Sequence, residues 1–267
     1  FSYLADDNQE HLREYVDAVD VFIFDAKGEV LVERHHLDGE RLLSPLEVTL
    51  PEGDYKVVAV GNALKETAIA VEDGYKRASV SRPELMEKDG QASGTFDRLY
   101  LGETSITSKV MNESRDVVRL YSQHVKIHAV VLSDEDNNSQ TWFEQNKGEG
   151  FRLTLESPSA RFSFSGQRAG KTSFDLAFTA GGKNDRFVLD FNTLRFEDGD
   201  PLTIRLMQGE KVLCTVDVAQ YIAQYPEQIR ITGRQEAVLP LYFRQNPLSL
   251  SISVKPWEAV DVVPITD

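Results

Sequence analysis

The chain has 267 residues, of which 41% are hydrophobic, and carries 43 acidic against 29 basic side chains for a formal net charge of −14 at pH 7. That length suffices for two hydrophobic cores, while so acidic a surface repels phosphate backbones and anionic headgroups and argues against nucleic-acid or membrane-surface binding. No apolar run approaches the ~20 residues of a membrane-spanning helix, and the single cysteine, Cys214, cannot form an internal disulfide.

In chain order, residues 1–15 are polar and aperiodic and are expected to be a flexible lead-in. Asp17 to Asp25 alternates as a strand, with Val19, Val21 and Ile23 on one face, and Ala26-Lys27-Gly28-Glu29 turns it into a second strand at Val30 to Glu33. Leu46, Val48 and Leu50 share one side of a period-2 segment, Pro51-Glu52-Gly53-Asp54 supplies a turn, and Tyr55 to Val60 follows, apolar on nearly both faces. A strand of that kind belongs inside a sandwich. Ser81-Arg82-Pro83-Glu84 fits a capping box opening a short helix to Lys88. Strands are expected around Leu99 to Gly102, Asp116 to Tyr121 and Gln123 to Leu132.

The acidic run Ser133 to Ser139 is the best candidate for a domain boundary. This divides the chain into a lead-in (1–15), an N-terminal sandwich (16–133) and a C-terminal sandwich (134–267). In the second half strands are expected at 151–155, 160–165, 173–179, 185–190, 201–207, 211–216, 228–232, 236–243 and 248–255. One helix interrupts them: Asp217 is its N-cap, Val218, Tyr221, Ile222 and Tyr225 share a face, and Pro226 ends it. Many short strands and little helix give an all-β reading: two antiparallel β-sandwich domains in tandem, with one short helix in each half.

Motifs that would carry chemistry fall short. Ser165 to Thr172 lacks the first glycine of a phosphate loop and runs into a strand pattern where a helix is required. Asp134, Asp136 and Asn138 are spaced as the start of a calcium loop, but Ser139 replaces the required glycine and Gln145 the bidentate glutamate, with Glu144 one residue early. His124 and His128 lie ~13 Å apart along a strand, too far to share an ion, and with Lys126 they are expected to face solvent. His35 and His36 point to opposite sides. Cys214 shares a face with Val212 and Val216 and reads as a buried core thiol. No nucleophile elbow or His-Glu-x-x-His occurs, so the chain reads as non-enzymatic, with no catalytic, metal or cofactor residue to name and no partner-binding residue marked.

Three elements occur together: Val19 to Gly28, Leu50-Pro51-Glu52-Gly53-Asp54-Tyr55 through Asn62, and Leu99-Tyr100-Leu101-Gly102. In order and spacing they resemble the N-terminal domain of the fimbrillin-associated anchor lipoproteins of Bacteroides-type bacteria. Ile204-Arg205-Leu206 through Val218, Tyr221-Ile222 and Ser251 to Trp257 resemble that family's C-terminal domain. The resemblance spans about Val16 to Trp257. It implies two transthyretin-like sandwiches, a surface-exposed place on the cell outer membrane through a lipidated N-terminal cysteine, and a position at the base of a fimbrium, joining the polymer to the cell. No cysteine precedes Phe1 here, so the lipid is an implication of the resemblance alone. The family's pilins polymerise by strand addition, and residues 1–15 or the C-terminal strand are candidates to move and open an edge. The alternative is a surface glycan-binding lipoprotein, with Trp142-Phe143 and Trp257 as its stacking candidates.

Overall fold

The computed structural model describes residues 1–110, 113–133, 139–148, 150–156, 158–181, 185–246 and 252–257. Strands of the first half are β1 Ser2–Tyr3, β2 Ala18–Asp25, β3 Leu31–Asp38, β4 Gly53–Gly61, β5 Ala68–Ala70, β6 Ser79–Ser81, β7 Gly90–Gln91, β8 Tyr100–Ser108 and β9 Arg119–Ser122. Those that follow are β10 His124–Ser133, β11 Phe151–Glu156, β12 Arg161–Ser163, β13 Arg168–Ala169, β14 Thr172–Ala177, β15 Thr179–Ala180, β16 Arg186–Leu194, β17 Thr203–Gln208, β18 Lys211–Asp217, β19 Val238–Gln245 and β20 Ile252–Lys255. Short helices are α1 Leu12–Tyr15, α2 Gly39–Leu43, α3 Ser139–Asn146 and α4 Val218–Gln224, and Pro83–Leu85 forms a 3-10 turn where a capped helix was expected.

The strands form four sheets, packed as two sandwiches. In the first, the six-stranded sheet β1-β9-β8-β4-β2-β3 faces the four-stranded sheet β13-β12-β6-β5. Phe22 and Phe24 of β2 and Val58 and Val60 of β4 point toward that second sheet, where Phe164 meets Phe22 at 5.1 Å between ring centroids. The alternate residues Val19, Val21, Ile23, Val57 and Ala59 pack on the opposite face in a smaller core. Burial on both faces is why these two strands carry apolar residues at consecutive positions. The second sandwich stacks β15-β16-β10-β19-β20 on β18-β17-β11-β14-β7, with Phe174 against Phe191 at 5.2 Å and Phe151 against Phe187 at 5.0 Å.

The sandwiches interlock. β12, with β13 on its outer side, pairs with β6, and β7 adds in parallel to β14, so the second half lends two strands to the first sandwich and the first half lends one to the second. One core runs continuously from Phe22 to Phe243. The boundary expected after Ser133 falls at the far end of β10. That strand pairs along its length with β16 and β19 of the second sandwich. The acidic residues 134–138 themselves lie outside the described residues.

Three further expectations change. Leu46 to Leu50 is not a strand, because both edges of β4 are already taken by β2 and β8; its half-buried leucines and valine lie over the smaller core instead. Residues 228–232 are not a strand either. Asp198 Oδ1 accepts the Ile231 and Thr232 amides at 2.7 and 3.2 Å, while Ile229 and Ile231 are buried. Cys214 is half-buried and does not share a face with Val212, which is exposed, because a bulge at Leu206/Met207 shifts the register between them.

Candidate functional site: the N-terminal clasp and the sheet edges

Residues 1–15, expected to be mobile, are docked. β1 adds in parallel to β9 at the edge of the six-stranded sheet, and Tyr3, Ala5, Leu12 and Val16 belong to the smaller core. The segment is stapled to itself by Glu10, whose carboxylate accepts the Ser2 hydroxyl at 2.6 Å and the Tyr3 and Leu12 amides at 2.9 and 3.1 Å. Burial would raise that carboxyl, but these three donors outweigh it and hold it below its usual range. His11 is gripped between Asp7 and Glu14, each at 2.9 Å, which raises its pKa. A periodicity search passes over such a segment because its few apolar residues anchor it by tertiary contact alone.

The clasp closes on Glu236, just before β19. The fully buried Tyr3 and Tyr100 rings meet at 4.8 Å, and both hydroxyls donate to Glu236 Oε1. Asp6 accepts the Gln235 amide at 2.7 Å, and Gln235 Oε1 accepts the Ser122 amide at 3.1 Å. Burial works to raise the Glu236 carboxyl; hydrogen bonding from His124, Tyr3 and Tyr100 prevails and lowers it. Chain start, first sandwich and second sandwich therefore meet at one half-buried carboxylate.

Ser122, His124 and Glu236 have the residue types of a nucleophilic triad, yet the geometry is that of a structural knot. His124 Nδ1 lies 3.1 Å from the Leu99 carbonyl, which can only accept, so this nitrogen carries a proton and cannot act as base toward Ser122 Oγ at 3.2 Å. Ser122 and His124 are buried. His124 thus departs from the solvent exposure expected of it, because β10 is central in its sheet and Tyr100 covers the imidazole. His128 and Lys126 do lie on one face, where they reach Asp190 at 2.9 and 3.1 Å.

The remaining candidates also resolve into packing. Trp142 and Phe143 are buried: Trp142 stacks on Phe151 and donates its indole N–H to Gln245 at 3.0 Å, and Phe143 stacks on Phe187. Trp257 is 40% exposed, edge-on to Tyr225. Ser165 to Thr172 turns from β12 into the two-residue strand β13, which pairs back on β12, and turns again into β14, with Gly166 and Gly170 at positive φ. It borders a cleft of about 700 Å³. Arg168 there is already bound to Asp200 at 2.8 Å and to the Arg195 carbonyl at 3.0 Å. His35 pairs with Glu33, and His36 with Asp20. Among the described residues no group of three or more His, Cys, Asp or Glu is placed to hold a metal ion.

What the geometry offers a partner is backbone. β3, the far edge of the six-stranded sheet, carries Arg34, His35 and His36 and a bulge against β2. β18 has its own bulge, and β20 pairs only with Tyr242 to Gln245 of β19. Further along β19, Pro240 has no N–H to give and its carbonyl accepts the Tyr221 hydroxyl at 3.0 Å.

The comparisons agree with the architecture. The family model for fimbrillin-A associated anchor proteins Mfa1 and Mfa2 matches residues 1–263. A comparison with curated protein sequences finds no match. Among solved structures, the fimbrial anchor protein Mfa2 from Porphyromonas gingivalis is similar at a TM-score of 0.63 and 16% identity, covering 96% of each chain. A candidate polysaccharide-binding protein from Bacteroides thetaiotaomicron superposes at 0.72 with 14% identity, over 96% of this chain and 94% of that one. A candidate adhesin from the same organism gives 0.70 with 14% identity and the same coverage. At these identities the likeness is one of fold, and the family follows from the match along nearly the whole sequence: this chain belongs to the fimbrillin-A associated anchor proteins.

Proposed function

We propose that the chain is a non-enzymatic anchor or accessory subunit of a surface fimbrium, joining the fimbrial polymer to the outer membrane and assisting its assembly. The observation that carries this reading is the family match over residues 1–263. The chain's side-chain chemistry is compatible with it: Ser122 and His124 are buried, with the His124 nitrogen nearest Ser122 committed to the Leu99 carbonyl, and His35, His36 and His128 serve local hydrogen bonds to carboxylates. Under this reading the working parts are sheet edges, engaged by a pilin's strand through main-chain hydrogen bonds. Attachment to the membrane is assigned to a lipid on an N-terminal cysteine upstream of Phe1.

A detergent pull-down of the full-length protein from its native envelope tests this, with mass spectrometry of its companions and of its N-terminus. Recovery of a polymerising fimbrial subunit together with a lipidated N-terminal cysteine is expected. A lipidated protein accompanied only by glycan-uptake components would overturn it.

A further inference from the structure

β8 has an open outer edge. Its inner edge pairs with β4 from Tyr100 to Ser108, but β9 pairs with it only at Tyr100 and Leu101. Beyond that point, among the described residues, no strand adjoins Glu103 to Ser108, and no backbone hydrogen bond from outside the β4 ladder reaches them. The divergence has a local cause. The Arg119 carbonyl sits against the position a β-carbon on Gly102 would take, so β9 lies close over the glycine and diverges beyond it.

Native proteins protect open edges with charge, proline, bulges or shortness. β3 carries charges and a bulge, β18 a bulge, β19 a proline, and β5, β7, β13 and β15 are two or three residues long. The stretch Thr104-Ser105-Ile106-Thr107-Ser108 has none of these devices; it is uncharged, free of proline and regularly paired on its other side. Over roughly 20 Å it presents unpaired main chain in residues of high strand propensity.

We propose that the outer edge of β8, from Glu103 to Ser108, is a docking edge for an extended strand of a partner fimbrial subunit; this rests on the fimbrial reading above. The two faces define the strand it fits. Ile106, opposite Tyr55, packs on the smaller core beside half-buried Leu50, so partner residues on that face are apolar. The other face displays Thr107, whose hydroxyl donates to Asp54 at 2.6 Å, and Glu103, which accepts the Tyr75 hydroxyl at 2.6 Å and lies 3.7 Å from the Lys56 ammonium, so partner residues there are polar. The occupant is an alternating apolar and polar segment, added on the side of the sheet away from the protected edge of β3.

The test measures capture of the fimbrial structural subunit by the full chain, with amide hydrogen exchange read on the same samples. Ser105→Lys, on the exposed face, and Ile106→Lys, on the apolar face, are expected to weaken capture at least tenfold. Val32→Lys on β3 leaves it unchanged, and exchange of 103–108 slows only in the wild-type complex. Exchange of β2 and β10 checks that each variant folds, and the wild-type exchange result needs no substitution. Capture retained by both β8 variants, or protection arising elsewhere, would overturn the docking edge and leave the fimbrial reading standing. Protection of 103–108 that grows with concentration of the chain alone would assign the edge to a second copy and also overturn it. A wild-type chain that captures no fimbrial subunit would sink the fimbrial reading itself.

Discussion

The Tyr100 hydroxyl donates to Glu236 at 2.9 Å, tying the start of β8 to the segment that leads into β19. Tyr3 donates to the same carboxylate oxygen, so one acidic side chain serves two buried phenols. Removing the acceptor strands both donors. Glu236→Ala is expected to cost about 3 kcal/mol, and Tyr3→Phe, which deletes one donor and keeps the ring, about 1 kcal/mol. Urea unfolding measures both, and faster amide exchange across residues 2–16 in Glu236→Ala would confirm that the clasp is what loosens.

Stability should fall at both pH extremes for separate reasons. Glu84 is held at about 2, against an ordinary 4.5, because hydrogen bonds from Arg82 and Ser93 outweigh the opposing effect of burial. A depressed carboxyl contributes fully above its unfolded value, and the contribution is lost as pH drops from 4.5 toward 2. The phenols of Tyr3 and Tyr100 are raised above 10.0, first by burial and then by Glu236. Their contribution is intact below pH 10 and declines above it, where the unfolded chain ionises first. Thermal melts across pH should show both limbs, and Glu84→Gln should flatten the acid one.

Gly102→Ala places a methyl group against the Arg119 carbonyl, a backbone atom that cannot swing aside. The expected loss is about 1–3 kcal/mol, with exchange quickening first in β9 and β1. A neutral substitution would mean that β8 and β9 separate freely.

The two tryptophans should report as two classes. Trp142 is 5% exposed and Trp257 is 40% exposed. Acrylamide should quench one fraction of the fluorescence and spare the other, and Trp257→Phe should remove the quenchable fraction. Polysaccharide panels should leave Trp142 emission unchanged, since the ring is buried, stacked on Phe151 and in edge contact with Phe187.

Burial raises the Cys214 thiol above its ordinary value. Ellman's reagent should therefore react with the native chain at least tenfold more slowly than with the urea-unfolded chain; equal rates would place the sulfur in solvent.

Sequence alone determined what is local. Asp217 caps α4 by accepting the Gln220 amide at 2.9 Å, and the spacing of Val218, Tyr221 and Ile222 set the buried face of that helix. Consecutive apolar residues in β4 announced a strand covered on both sides, and the ordered motifs announced the family. Tertiary structure alone decided which strands meet. Nothing within Ser79–Ser81 points to Arg161–Ser163, and nothing within His124–Ser133 says that both its neighbours come from the second half. The docking of Tyr3 and the open edge of β8 are of the same kind. Strand alternation encodes which face is apolar, whereas a backbone edge is satisfied by identical N–H and C=O groups whatever their neighbour, so pairing is settled only when the whole core closes.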